Sequence, residues 1–143
     1  MRWPDLFVRA VLVTIGGFLV VFGAWRLLDP VGFFAFSGLV LGNDPGLLSE
    51  ARGAGALVLA FGGLILAGSV FSSLTRTSAA TAWILLWSFG LGRIVGLIND
   101  GLPSAQVLQG LFSELLFGAV SAVALLVHLR QRRASKLSDV SRE

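Results

Sequence analysis

The segment LFVRAVLVTIGGFLVVFGAWRLL (residues 6–28) is apolar over its whole length, apart from Arg9, Thr14 and Arg26. A helix of about 20 apolar residues is long enough to cross the hydrocarbon core of a bilayer. Three similar stretches follow, at residues 53–71, 79–98 and 105–129. Lipid offers backbone groups no hydrogen-bond partners, and these segments are too few and too long for a β-barrel. The sequence therefore predicts four membrane-spanning helices.

The overall composition also predicts an all-α integral membrane protein. Of 143 residues, 55% are hydrophobic and 13% are charged, and the mean hydropathy is +0.85. Soluble domains usually carry about 25% charged residues. A chain this short cannot hide so much apolar surface in a water-facing fold. The predicted architecture is a four-transmembrane-helix bundle over residues 1–129, followed by a basic cytoplasmic tail at residues 130–143.

The basic residues predict how the bundle is oriented. The N-terminal segment carries Arg2 and Arg9 and the second connection carries Arg76, whereas the first and third connections carry aspartates. Because cytoplasmic loops are enriched in Lys and Arg, we expect both termini to be cytoplasmic and the chain to lie in the cell's inner (plasma) membrane. Four tail residues are expected to contact anionic lipid headgroups: Arg130, Arg132, Arg133 and Lys136.

The first connection, residues 29–49, is the longest of the three. Its middle, VGFFAFSGLVL (residues 31–41), is apolar but too short to span a bilayer, which predicts an interfacial or re-entrant segment. Asn-Asp-Pro-Gly follows at residues 43–46 and is typical of a turn. Either Ser49 or Asp44 is expected to cap the second span, with Glu50 in its first turn near the positive end of the helix dipole.

Two pairs of segments resemble each other along the chain. FGAWRLL (residues 22–28) matches FGLGRIV (89–95), and the Ser-Glu of LSEARGAGA (48–56) matches that of FSELLFGAV (112–120). One hypothesis is that two related helical hairpins arose by duplication. The alternative is chance similarity, which is frequent in chains composed mostly of Leu, Gly, Ala, Val and Phe.

The third and fourth predicted spans each contain one charged residue, Arg93 and Glu114. Counting at 1.5 Å per residue, Arg93 lies about 7 Å and Glu114 about 15 Å from the outer ends of their helices. A central Arg or acidic residue costs about 2.5–3.5 kcal/mol on insertion. We therefore predict that Arg93 and Glu114 contact each other. The alternative is that Glu114 is protonated and neutral.

Small residues at four-residue spacing predict the faces on which the helices pack. One stripe lies on the second span (Arg52, Ala56, Ala60, Gly63, Ala67), one on the fourth (Gly110, Glu114, Gly118, Ala122), and Gly92 and Gly96 add a third. These faces carry charges as well, which predicts one inward-facing polar cluster. Its expected members are Glu50, Arg52, Arg93, Asp100 and Glu114. Such a cluster is either a structural ionic clamp, a ligand site, or part of a translocation path.

The sequence also disfavours several classes of function. The chain has no cysteine and one histidine, His128, so disulfides, thiolate chemistry and a histidine metal site are excluded. No nucleotide-binding loop or catalytic triad is present, and we expect no cofactor. The net charge of only +3 argues against nucleic acid as a partner. Nothing selects an enzymatic reaction, although an enzyme using Glu114 for proton transfer stays an alternative.

Three segments resemble a known family. SEARGAGALVLAFGGLIL (residues 49–66), GRIVGLINDGLPS (92–104) and SELL (113–116) resemble an uncharacterised bacterial membrane family catalogued as domain of unknown function 4345. The resemblance covers about residues 5–128, and a looser similarity links the second span to the four-helix DoxX-like membrane proteins. It implies a four-helix bundle with a polar cluster at one end, to which Pro103 also belongs. It implies no activity.

The favoured hypothesis is a small membrane protein that binds an amphipathic ligand, lipid-like or quinone-like, at an outer-leaflet Arg/Glu cluster. One alternative is an accessory or assembly subunit of a membrane complex, in which the cluster is purely structural. Another is an oligomeric transporter or channel for protons or a small solute. The expected partners are the bilayer and a lipid-like ligand, with a membrane protein or further copies of this chain under the alternatives.

Overall fold

The computed structural model describes residues 3–140, with side chains described for residues 3–134. The regular structure in this part of the chain is helical throughout, as predicted. Its elements are α1 (Trp3–Leu28), α2 (Pro30–Phe36), α3 (Pro45–Val70), α4 (Thr75–Asp100) and α5 (Ala105–Val140). Helices α1, α3 and α4, together with the Ala105–Ala134 part of α5, are long and apolar enough to cross a membrane. The chain is thus a multi-pass membrane protein with four candidate spans.

The second long helix begins earlier than predicted, at Pro45 rather than at residue 53. Asp44 is its N-cap and accepts a hydrogen bond from the backbone nitrogen of Leu47 at 2.9 Å. The prediction of an Asp44 cap is confirmed, whereas Ser49 lies within the helix and Glu50 lies beyond the first turn. The physical reason is that hydropathy marks only the apolar part of a helix, while capping chemistry determines where the helix begins.

The last helix continues without a break past residue 129, where the predicted span ends. The first part of the predicted tail is therefore helical up to Val140. The Gln131 amide donates a hydrogen bond to the Asp5 carboxylate at 2.9 Å, and Arg132 donates to the Ser72 carbonyl at 3.2 Å. These bonds tie α5 to the start of α1 and to the connection between α3 and α4.

The four long helices form two closely packed pairs. Helix α1 packs most extensively against α3, and α4 against α5, while the contacts between the pairs are less extensive. At one end of the bundle α1 and α4 end and α3 and α5 begin, and we call this the distal end. The opposite end, where α1 and α4 begin, is called the terminal end. The buried core lies mainly in the terminal half, where Leu12, Ile65 and Ala82 are inaccessible to solvent.

Glycines set the close approach of α1 and α3. A Cβ added to Gly62 would lie 2.7 Å from the Val20 nitrogen, and one added to Gly55 would lie 2.6 Å from the Leu27 nitrogen. The prediction for this helix was wrong, because the stripe from Arg52 to Ala67 is largely exposed. The buried face is instead made of Ala51, Gly55, Val58, Gly62, Ile65, Gly68 and Ser69. Two small-residue stripes run side by side on α3, and spacing alone does not distinguish them.

The prediction for α5 was correct. A Cβ added to Gly118 would lie 2.5 Å from the Trp87 ring of α4, and one added to Gly110 would lie 3.4 Å from the Arg93 guanidinium. Gly92 and Gly96 do not mediate close helix packing, because a Cβ at Gly92 would meet nothing within 4 Å and one at Gly96 only the Asp100 carboxylate. The glycine of α4 that lies closest to α5 is Gly90, against Leu115.

The first connection lies across the distal end of the bundle. Asp29 caps α2 by accepting a hydrogen bond from the Gly32 nitrogen at 2.9 Å. After α2 the chain turns at Gly38, which has a φ of 73° and therefore favours glycine. The Ser104 hydroxyl, just before α5, donates a hydrogen bond to the Ser37 carbonyl at 2.9 Å. This segment thus connects the end of α1 to the start of α5.

Candidate functional site

A cavity of about 960 Å³ lies between the two helix pairs in the distal half of the molecule. Helix register gives the order of its lining residues along the bundle axis, at about 1.5 Å per residue. The part of the lining nearest the terminal end, which we call the floor, is apolar and comes from three helices, with Phe18 of α1, Leu86 of α4 and Phe117 of α5. The rings of Phe18 and Phe117 lie 6.4 Å apart. Helix α2 forms a further wall with Phe33 and Phe34.

The predicted contact between Arg93 and Glu114 is confirmed, and both residues line this cavity. The Arg93 Nε donates to both carboxylate oxygens of Glu114, at 2.8 and 3.0 Å. The Glu114 side chain is 15% exposed and that of Arg93 is 35% exposed. The pair joins α4 to α5, while the arginine stays accessible from the cavity.

A second arginine reaches the same cavity from the other helix pair. The Arg26 Nε donates a hydrogen bond to the Ala51 carbonyl of α3 at 3.1 Å. Its guanidinium lies 5.0 Å from the ring centre of Phe34 and 5.9 Å from that of Phe33, which is within the range of a cation–π interaction. Arg26 is therefore held by backbone and aromatic groups rather than by a carboxylate.

Uncharged polar side chains complete the lining. Gln106, Gln109 and Ser113 lie on the distal part of α5, and Ser88 lies on α4. The Ser113 hydroxyl bonds to its own helix, donating to the Gly110 carbonyl at 2.8 Å. The cavity thus combines an apolar floor with polar groups nearer the distal end, an arrangement suited to a molecule with one apolar and one polar part.

Three members of the predicted cluster lie outside this cavity. Arg52 is exposed and donates to the carbonyls of Leu27 and Leu28 at 2.6 and 3.0 Å, at the end of α1. Glu50 is exposed beside a smaller pocket between α2 and α3. Asp100 is exposed at the last residue of α4, and Pro103, half-buried, follows in the connection to α5.

The prediction of one cluster of five was therefore wrong. The structure joins Arg93 to Glu114, whereas Arg52 binds carbonyls at the end of α1 and Glu50 and Asp100 are exposed. The reason is that free carbonyls at the end of α1 satisfy Arg52, and the exposed carboxylates of Glu50 and Asp100 at the distal end need no ionic partner.

The prediction missed Arg26 as a cavity residue. A signal for it was present, because Arg26 and Arg93 hold equivalent positions in the matching segments FGAWRLL and FGLGRIV. What the sequence does not contain is the position of α2. Its aromatic residues surround Arg26 only once the first connection has folded across the distal end of the bundle.

The basic residues of the terminal end are exposed where the structure describes them. This holds for Arg130, Arg132 and Arg133, whereas the side chain of Lys136 lies outside the described residues. Arg132 donates a hydrogen bond to His128 at 3.1 Å in addition to its bond with Ser72. Among the described residues, no three His, Asp or Glu side chains group as metal ligands.

Comparison with known proteins identifies the family. No curated protein and no solved structure matches the chain. A family model does match, over residues 7–125, a range that includes α1 to α4 from residue 7 onward and the part of α5 that lines the cavity. This range covers most of the chain, so the protein belongs to the family described as Domain of unknown function (DUF4345).

Proposed function

We propose that this protein binds an amphipathic molecule, lipid-like or quinone-like, in the cavity between its two helix pairs. The apolar part lies against the floor formed by Phe18, Leu86 and Phe117, and the polar part meets Arg93 and Glu114. The observation that carries the proposal is a cavity of about 960 Å³ with an apolar floor and a charged wall. Ligand pockets in proteins occupy roughly 300–1,000 Å³.

A purely structural role for the ion pair explains the cavity less well. A structural clamp needs the Arg93–Glu114 bond, but it does not need open space beside that bond. Close packing is the rule in protein interiors, and the terminal half of this molecule follows it. The distal half departs from it where the charged side chains lie, which favours a site that takes up a ligand.

The proposal is tested by extracting the protein in a mild detergent and identifying bound small molecules by mass spectrometry. Gly92 lines the cavity, and a Cβ there meets nothing within 4 Å. Gly92→Trp is therefore expected to place its ring in the ligand space, since its Cβ meets no neighbour. Gly53→Trp is the matched control, because a Cβ at this exposed position on α3 also meets nothing. We expect a stoichiometric amphiphile with the wild type and with Gly53→Trp, and loss of it with Gly92→Trp.

Two outcomes contradict the proposal. The first is that no molecule is retained by the wild type, and the second is that all three proteins retain the same molecules. If Glu114→Gln only lowers the amount of protein in the membrane, and a second membrane protein co-purifies with the wild type, the result would instead support an accessory subunit. Proton or solute flux in liposomes would support a transporter.

We further propose that the terminal end faces the cytoplasm of a bacterial inner membrane, with anionic lipid headgroups around Arg130, Arg133 and Lys136. The support is the excess of arginine and lysine at that end, which is typical of cytoplasmic segments. The chain has no cysteine, so single cysteines report topology directly. Gly42→Cys at the distal end and Ser73→Cys at the terminal end are both exposed positions. Gly42→Cys should react with an impermeant thiol reagent added from outside, and Ser73→Cys only with reagent that reaches the cytoplasmic face. The reverse pattern, or reaction of both cysteines from the same side, would contradict this orientation.

A further inference from the structure

We infer that the ligand carries an anionic head group, a carboxylate or a phosphate, which Arg26 and Arg93 bind together. This inference rests on the proposed function and narrows the class of ligand. It starts from the charges of the cavity lining. Arg26, Arg93 and Glu114 are the charged residues among the described lining, two positive and one negative. The net charge of the site is therefore positive.

The two arginines approach the cavity from different helix pairs. Arg26 lies in the last turn of α1, and Arg93 lies in α4. Each uses its Nε for a bond within the protein, to the Ala51 carbonyl and to Glu114 respectively. Within residues 3–134, the terminal guanidinium nitrogens of Arg26 and Arg93 have no hydrogen-bond acceptor. Since every buried side-chain nitrogen or oxygen described has a partner, these nitrogens are accessible, and both residues line the cavity.

The local environment makes an anion a better partner than a neutral group. Glu114 balances one arginine, and the rings of Phe33 and Phe34 lie beside the other. A cation in an apolar environment is stabilised strongly by an opposite charge that also accepts hydrogen bonds. A quinone or an alcohol supplies the acceptor but not the charge. An anionic head group supplies both, to two guanidinium groups at once.

The position of Arg26 fits the depth of the cavity as well. The floor at Phe18 lies two turns of α1 below Arg26, and Leu86 lies about two turns of α4 below Arg93. A head group between the arginines therefore leaves an apolar chain to lie against the floor. The Gln106 and Gln109 side chains, nearer the distal end on α5, provide further hydrogen-bond donors for the head group.

The inference is tested with chain-matched probes, titrated against the full-length protein in detergent micelles and measured by native mass spectrometry. Palmitate is compared with its methyl ester, and palmitoyl lysophosphatidate with monopalmitoylglycerol. We expect the anionic member of at least one pair to bind about tenfold more tightly than its neutral partner, equivalent to about 1.4 kcal/mol. The pair that shows the larger preference distinguishes a carboxylate from a phosphate.

Two variants locate the preference in the cavity. Arg26→Gln removes one cation, and Gln109→Glu adds a carboxylate to the lining while leaving both arginines and their bonds in place. Both should reduce the ratio of anionic to neutral binding at least about fivefold. Asn99→Asp is the matched control, because it adds a negative charge at the same end of the molecule, at an exposed residue that does not line the cavity. This control should leave the ratio unchanged.

The outcomes separate the inference from the proposed function. Equal binding of anionic and neutral probes, lost in Gly92→Trp, would overturn the anionic head group and leave the amphiphile site standing. A ratio that falls as much with Asn99→Asp as with Gln109→Glu would also overturn it, since the effect would then be general electrostatics. Absence of binding by every probe, or equal binding to Gly92→Trp, would overturn both.

Discussion

Arg93 and Arg26 line one cavity, but different chemistry holds them in place. Arg93 has a carboxylate at 2.8 Å, whereas Arg26 has a backbone carbonyl and two aromatic rings. A charge inside a span needs a partner, because desolvation without compensation is expensive. The two arginines meet that need in different ways. Only Arg93, paired with Glu114, belongs to a pair whose net charge is zero.

The first prediction concerns the Arg93–Glu114 bond. Removing one partner of a fully buried pair costs about 3–5 kcal/mol. Here Arg93 is 35% exposed, so we expect Arg93→Ala to lower the free energy of unfolding by about 1–3 kcal/mol. Thermal unfolding in micelles would measure it, as one arm of a double-mutant cycle with Glu114→Ala.

The cycle isolates the pair from its surroundings. The double variant should be destabilised by less than the sum of the two single variants, because the second change removes a group that the first left unpaired. Additive effects of the two changes would show that the bond contributes nothing to stability. Ser88→Ala, which also lines the cavity but carries no charge, should change stability by much less than either variant.

At the scale of elements, the pairing of α1 with α3 depends on glycines that let the two backbones approach. A Cβ at Gly62 would lie 2.7 Å from the Val20 nitrogen of α1. We expect Gly62→Ala to destabilise the protein by about 1–3 kcal/mol, because backbone atoms cannot move aside as a flexible side chain can. The midpoint of thermal unfolding would register the loss.

The neighbouring Gly63 gives the matched control, since it lies on the exposed side of α3 and a Cβ there meets nothing. Gly63→Ala should be neutral or stabilising by up to about 1 kcal/mol, through helix propensity alone. If both variants behaved alike, the close packing of α1 on α3 through this face would be wrong.

The first connection is the other element whose position matters. A Cβ at Gly38 would lie 3.6 Å from the Ser104 Cβ, within the roughly 3.5–4.5 Å that a disulfide needs. We expect Gly38→Cys/Ser104→Cys to cross-link under mild oxidation, as seen by mass spectrometry after proteolysis, although a side chain at the positive φ of Gly38 adds some backbone strain. In the control Gly42→Cys/Ser104→Cys, the first position has no neighbour within 4 Å, so it should stay reduced. Equal cross-linking of both would show that the connection does not rest on the start of α5.

At the scale of the whole molecule, the packing is uneven from one end to the other. Tight packing and the buried core fill the terminal half, while the cavity separates the helix pairs in the distal half. The bundle is joined at its terminal end by Ser78, whose hydroxyl on α4 donates to the Leu64 carbonyl of α3 at 2.8 Å. This difference in packing predicts that the terminal half is more rigid than the distal half.

This unevenness predicts a difference in hydrogen exchange between helices at the same depth. Backbone amides of residues 88–96 on α4 border the cavity, whereas those of residues 48–57 on α3 lie in the glycine-packed pair. We expect the α4 segment to exchange at least about tenfold faster, equivalent to about 1.4 kcal/mol of local stability. Exchange mass spectrometry in micelles measures both segments in one experiment, which controls for the detergent. Equal rates would indicate that the cavity does not loosen the distal half.

Two features were predictable from the amino-acid sequence alone: four helices long and apolar enough to cross a membrane, and the contact of Arg93 with Glu114. The number of spans follows from the length of each apolar segment. The contact follows from the free-energy cost of an unpaired charge in a membrane. The Asp44 cap and the α5 stripe of Gly110 and Gly118 were predictable for the same reason, since turn chemistry and spacing are local.

Two other features depend on packing between helices: which stripe of α3 is buried, and where α2 lies. Gly62 and Gly63 are the same residue type at adjacent positions. Gly62 is buried because α1 packs against its side of α3, whereas Gly63 lies on the exposed side. Arg26 became a cavity residue in the same way, when the first connection folded across the distal end and placed Phe34 beside it. The physical reason is that packing partners are chosen between helices, and the spacing of residues within one helix does not contain that choice.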